Sequence, residues 1–196
     1  MSDLIPSIPE AEADHPWNRY VATVLQPHAI DYTDILDLAA GQGLGTTKFA
    51  PLAKTITIVD CDDDAIRACR QQFGRDPRFK FIRNNGITIA EVYDSSISFF
   101  SVFDAMVHFD LETVQSYVKE AYRVLRANGH GFFHYSNFSA FPGADVRRNP
   151  YRRNFMSKPL FEHIALRAGF AIVSSATIPW GGIRDLDGIA LLRKPG

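Results

Sequence analysis

The stretch Asp34-Ile-Leu-Asp-Leu-Ala-Ala-Gly-Gln-Gly-Leu-Gly-Thr46 is an apolar, strand-like run that breaks into a glycine-rich turn and then a helical pattern. Gly41 and Gly43 allow positive φ and let a ligand lie against backbone without meeting a Cβ. That turn points to a nucleoside-containing cofactor. Asp37 narrows the choice: a carboxylate at the strand tip repels a pyrophosphate and suits a ligand bearing ammonium, sulfonium and hydroxyl groups.

The dinucleotide fingerprint G-x-G-x-x-G does not fit. Counting from Gly41 puts Thr46 at the third glycine, and counting from Ala39 puts Leu44 there. A tight βα turn without a ligand is the plainer alternative for such a stretch taken alone. The next element, Thr55-Ile-Thr-Ile-Val-Asp60, is β-branched and ends in an acid roughly twenty residues beyond the glycines, where a ribose-binding carboxylate belongs. Asp60 is equally placed to cap the following helix, but Asp62, Asp63 and Asp64 compete for that role and leave Asp60 to a ligand.

With these residues in view, the chain resembles the class I S-adenosylmethionine-dependent methyltransferases from about Trp17 to its C-terminus. Ile35 to Gly43 is similar to the family's first motif, with Ala39 where the first glycine usually stands, a small change by residue type. Phe79-Lys-Phe-Ile-Arg-Asn-Asn-Gly86 looks like the third strand and its tip, with Asn85 in place of an acid near the adenine amino group. Ser96 to His108 is similar to the fourth strand and the segment after it. Tyr122 to Gly129 resembles the family's helix end and turn, where Asn128 and Gly129 both tolerate a left-handed cap. Gly131 to Ser136 follows as the next strand, and Leu160 to Gly169 as the last helix.

The resemblance implies a single-domain, Rossmann-like α/β fold over 17–196: a seven-stranded, mostly parallel sheet with an antiparallel last strand and helices on both faces. It implies S-adenosylmethionine as cofactor, held by Asp37, Ala39, Gly41, Gly43, Asp60, Cys61, Asn85, Gly86 and Phe103. The residues themselves alternate accordingly. Strand patterns fall near 33–39, 54–60, 79–83, 97–102 and 130–136, with helical patterns at 44–50, 63–73, 111–126 and 157–168. Apolar runs at 170–177 and 186–193 are suited to a closing hairpin.

A chain of 196 residues with a formal net charge of −1 suits one α/β domain and gives no global sign of nucleic-acid or membrane binding. No apolar span is long enough for a bilayer and no signal peptide is visible, so a cytoplasmic location is expected. Cys61 and Cys69 offer no metal site and read as reduced thiols. Residues 1–16, rich in Pro, Ala and acids, read as a mobile arm or part of a lid.

The acceptor side is less explicit, because methyl transfer needs little beyond alignment. A hydroxyl acceptor also profits from a base, and His108 is the first candidate. Asp104, four residues earlier, would orient it if that stretch is helical; a surface pair or a packed histidine is the plainer reading. His134 reads more simply as a core histidine, and Asn137, at the exit of the fifth strand, as a substrate contact. Asp145 to Asn154 holds four arginines, of which Arg152 and Arg153 would grip an anionic acceptor such as a nucleotide-sugar, unless the loop is merely solvated. The expected reaction is O-methylation of a small sugar-like or secondary-metabolite acceptor. A small-amine N-methyltransferase and a non-catalytic S-adenosylmethionine-binding module are the alternatives.

Overall fold

The computed structural model describes residues 17–196. The arm or lid expected over 1–16 lies outside the described residues. Among the described residues, seven strands form one sheet in the order β3-β2-β1-β4-β5-β7-β6. They are β1 Asp34–Leu38, β2 Thr55–Asp60, β3 Phe79–Arg83, β4 Ile97–Val102, β5 Leu125–Ser136, β6 Ala171–Trp180 and β7 Ile183–Arg193. Strands β1 to β5 pair in parallel, and β7 runs antiparallel to both β5 and β6. The reversal between β1 and β4 puts a topological switch at the C-terminal edge of the sheet, where open α/β sheets bind ligands.

Alternation along the strands sends successive side chains to two cores. Leu36, Leu38, Phe100, Phe133 and Tyr135 pack beneath α4 (Leu111–Val124) and α5 (Lys158–Ala168). Ile35, Ile56, Ile58, Phe99 and Phe132 pack on the opposite face against Trp17, Val21, Leu25 and Cys69. That second layer comprises α1 (Ala22–Leu25), α2 (Leu44–Phe49) and α3 (Asp63–Phe73), with a π-helical turn over Trp17–Val21 leading into α1. Capping follows the sequence: Asp62 accepts from Asp64 N (2.9 Å) at α3, and Asp110 accepts from Thr113 N (2.7 Å) at α4. No helix among the described residues is long and apolar enough to cross a membrane.

One boundary differs from the sequence reading. Helix α4 stops at Val124, and Leu125, already extended, begins β5 by pairing with Ile97. Asn128 is left-handed (φ 64°), as its type allows, but it shapes an irregularity inside β5 and does not end the helix. The buried Leu125 explains the early stop, since continuing the helix would withdraw it from the sheet.

Candidate active site

The turn after β1 is built from left-handed residues. Ala39 (φ 52°), Gly41 (φ 55°) and Gly43 (φ 82°) all have positive φ, and Ala39 N donates to Val59 O on the neighbouring strand (2.7 Å). Alanine at position 39 is therefore more than a small change, because an L-residue in this region is strained by roughly 1–2 kcal/mol. Ala39→Gly is expected to raise stability by about 0.5–1 kcal/mol, the strain relieved less the extra unfolded-state freedom of glycine. Urea denaturation checks this, and an unchanged or lower midpoint would contradict it.

The two glycines do different work. A Cβ on Gly41 would meet nothing within 4 Å among the described residues, so the turn presents bare backbone to open space there. A Cβ on Gly43 would come within 2.6 Å of Phe73 Cε2. Gly43 thus lets α3 close on the turn, and its bare side serves packing.

Asp60 ties the turn to the tip of β2. Its Oδ2 accepts from Gly41 N (3.0 Å) and its Oδ1 from Asp62 N (2.9 Å). The carboxylate is therefore not as free as the competing caps suggested, although each oxygen keeps a second lone pair. Asp37 is buried at the tip of β1, where Thr46 Oγ1 donates to its Oδ2 (2.6 Å). Burial pushes its carboxyl up to about 6, with the Asp60 charge adding to the rise and the Thr46 hydrogen bond opposing it. A cationic ligand group would relieve that penalty.

Beyond β3 the expected residues divide. A Cβ on Gly86 would lie 3.6 Å from Cys61 Cβ, so these two sit together beside the β2 tip. Asn85 is exposed, and its amide oxygen accepts from Ile87 N (2.9 Å) and Thr88 N (2.8 Å). The oxygen expected to meet adenine instead closes the turn. Its neighbour Asn84 is buried and donates to Tyr117 Oη (2.8 Å). Phe103, after β4, meets Trp17 edge-on (5.1 Å between centroids) and stacks on His134 (5.3 Å). Cys69 is buried beneath the turn, with its Sγ 3.3 Å from Gly41 O.

The acceptor side departs further from the sequence reading. Arg153, expected to clamp an anion, is 1% exposed. Its Nε and Nη2 donate to Asp187 Oδ1 (2.8 Å) and Oδ2 (2.6 Å), and its guanidinium lies 5.2 Å from the Trp180 ring centroid. It holds the β7 carboxylate and cannot reach a solvent anion. Arg152 alone of the pair remains exposed. Asn137 is likewise committed: Nδ2 donates to Asp185 O (2.8 Å), and Oδ1 accepts from Lys158 N (2.8 Å) at the start of α5. It fastens β5 to α5 and the β7 edge.

His134 is fully buried. Its Nδ1 accepts from Asp104 N (3.0 Å) and its Nε2 donates to Asp187 Oδ2 (3.0 Å), which assigns the Nε2–H tautomer. Burial works to raise the Asp187 carboxyl, but hydrogen bonds from His134 and Arg153 and the Arg153 charge outweigh it and hold the carboxyl low.

His108 is exposed, at the end of a short 3-10 turn over Met106–His108. Its Nδ1 lies 3.1 Å from Arg152 O, and since a carbonyl only accepts, Nδ1 carries the proton and Nε2 keeps the lone pair. Asp104 does not share a helical face with it. Left-handed (φ 50°) and outside the turn, Asp104 directs its carboxylate toward Arg153 Nη2 (3.7 Å). Burial raises the Asp104 carboxyl, opposed by the neighbouring His134, Arg153 and His108 side chains. The contact that orients His108 is the Arg152 carbonyl, which no side-chain spacing announces.

The sheet order defines a Rossmann-like fold, with a bare glycine turn between two acids at neighbouring strand tips. A family model described as a methyltransferase domain matches residues 35–129. Over 185 residues the chain is 27% identical to a probable S-adenosylmethionine-dependent methyltransferase of Mycobacterium tuberculosis strain H37Rv, covering 92% of this chain. The chain spans 65% of that relative's length. A similarly named relative from Mycolicibacterium smegmatis is 25% identical over 185 residues, covering 92% of this chain and 70% of the relative. The chain is thus similar to S-adenosylmethionine-dependent methyltransferases over most of its length.

Solved structures share the fold at low identity. The N-methyltransferase NodS of Bradyrhizobium japonicum, in complex with S-adenosyl-L-homocysteine, superposes with a TM-score of 0.71 at 16% identity, covering 97% of this chain and 94% of its own. The [4+2]-cyclase SpnF superposes with a TM-score of 0.70 at 15% identity, covering 90% and 79%.

The residues present fit S-adenosylmethionine, the cofactor named for those relatives. Gly41 leaves open backbone, Asp60 keeps acceptor capacity beside it, and Asp37 offers a buried carboxylate for a cationic group. When bound, the cofactor supplies a methyl group activated by its sulfonium.

Proposed function

We propose that this chain methylates a hydroxyl of a small-molecule acceptor, sugar-like or a secondary metabolite, using S-adenosylmethionine. The observation that carries the reading is His108: its Nδ1–H is held by the Arg152 carbonyl, and its Nε2 lone pair is left for a proton at the exposed end of the 3-10 turn that follows β4. In this reading Nε2 would take the hydroxyl proton, while bound S-adenosylmethionine would supply the methyl group, its carbon–sulfur bond breaking as the oxygen–carbon bond forms and S-adenosylhomocysteine leaving. Alignment supplies the remainder of the rate. Asp60, beside the bare backbone at Gly41, would hold the cofactor ribose, and Asp37 would meet its ammonium group.

A small amine is the second reading, favoured by the half-exposed Asp104 carboxylate, 45% accessible, which suits an ammonium group. The fold does not choose between these, since a cyclase shares it.

Asp60→Asn keeps one acceptor oxygen and removes the charge. It is expected to weaken S-adenosylhomocysteine binding about 10–100-fold by calorimetry, the loss of one charge-assisted bond. Unchanged affinity in the folded variant would remove Asp60 from the cofactor site. The reaction itself is tested by coupled release of homocysteine across a panel of hydroxyl and amine acceptors. Turnover with hydroxyl compounds supports the proposal, and turnover with amines alone overturns it. Cofactor binding without turnover on any acceptor would support a binding module.

A further inference from the structure

We infer that Asp187 and Arg153 are positioning residues that set the tautomer of His108 through the backbone of the 150s loop. The inference rests on the reading of His108 as the base. Both restraints on that histidine converge on one buried carboxylate. Asp187, at 0% exposure, takes two N–H groups of Arg153 in a bidentate pair and the Nε2–H of His134. Arg153 directly follows Arg152, whose carbonyl accepts the proton of His108 Nδ1. His134 in turn accepts the backbone N–H of Asp104, at the head of the segment that carries His108.

The backbone between these anchors is strained. Asp104 (φ 50°), Tyr151 (φ 49°) and Arg152 (φ 56°) are all left-handed without being glycine. Each such residue is strained and persists only where its surroundings over-determine it. The buried pair is what over-determines these. Arg153 Nη1 also donates to Tyr151 O (3.3 Å), and Tyr151 Oη donates to Gly181 O (3.0 Å), so the strained residues are fastened on both sides. A second link seats the loop on the His108 segment, because Asn154 N donates to Val107 O (2.8 Å). A buried ion pair contributes little net stability compared with apolar packing. Its fully satisfied, bidentate geometry instead specifies where the Arg152 carbonyl points.

The test reads the tautomer, not the activity. Ring ¹⁵N and ¹H shifts of His108 in the wild-type protein are expected to report Nδ1–H, and a predominantly Nε2–H ring would overturn the inference directly. In Arg153→Met the Arg152 carbonyl loses its anchor, and His108 is expected to lose the Nδ1–H preference and redistribute its proton between the two nitrogens. Should the unpaired Asp187 charge prevent folding, the double variant Arg153→Met with Asp187→Asn removes that charge and keeps an oxygen for His134. Retention of Nδ1–H in a folded variant would overturn the positioning role. Failure of His108 itself as the base would show separately, as wild-type turnover in His108→Ala, and would leave the tautomer result untouched.

Discussion

His108→Ala is expected to lower turnover on a hydroxyl acceptor by roughly 10²–10⁴-fold, the range typical of a lost general base, with cofactor affinity near that of the wild type. His108 is exposed at the end of a 3-10 turn and its ring is held by a backbone carbonyl, so removing the ring leaves that carbonyl to water and strands no buried side chain. The fold should therefore survive, and steady-state kinetics with calorimetry on the same preparation separate a catalytic loss from a binding loss. Asp104→Asn should cost less, because its carboxylate approaches Arg153 and acts on the His108 imidazole only through its charge. Wild-type turnover in the alanine variant at every pH would leave alignment as the whole mechanism and favour an amine.

Asp37→Asn is expected to do the opposite of most buried substitutions and stabilise the cofactor-free protein. Its carboxyl is raised by burial to about 6 from 3.8, so the folded state holds a proton more tightly than the unfolded chain does. Stability from this group is present below about pH 4 and is lost as pH rises through about 6. At pH 7 the ionised side chain costs about 3 kcal/mol, since each tenfold change in proton affinity corresponds to about 1.4 kcal/mol. An amide carries no such penalty and still offers an oxygen to Thr46 Oγ1. Thermal denaturation should show Asp37→Asn above the wild type at pH 7 and the gap closing toward pH 4. The same variant should bind S-adenosylmethionine more weakly, having no charge to meet the ammonium group. A variant that melts below the wild type at pH 7 would show that the carboxylate is not an electrostatic liability in the fold.

Much of the architecture was legible because its signals are local. The strand patterns ending at Leu38, Asp60 and Arg83, the glycine turn between β1 and α2, and the Asp62 cap of α3 are each written in a few consecutive residues. Ala39 shows the limit of such reading. Its residue type suggested a minor change, whereas its left-handed φ makes it a strained position. Asn85 stood where an adenine contact was expected, and a three-residue turn took its oxygen.

Local sequence was enough for the parallel strand pattern, the turn that leaves Gly41 bare, and the acids at the tips of β1 and β2. These follow from side-chain periodicity and turn chemistry, which act over neighbouring residues. Which polar groups of the acceptor side are free depends instead on contacts between distant segments. Arg153 and Arg152 are adjacent and chemically identical, yet one is sealed against a carboxylate 34 positions away and the other faces solvent. Asn137 reaches Asp185 across 48 positions, and His134 reaches Asp187 across 53. A buried polar group must find partners wherever the fold supplies them, and those partners come from strands that meet only when the sheet has closed.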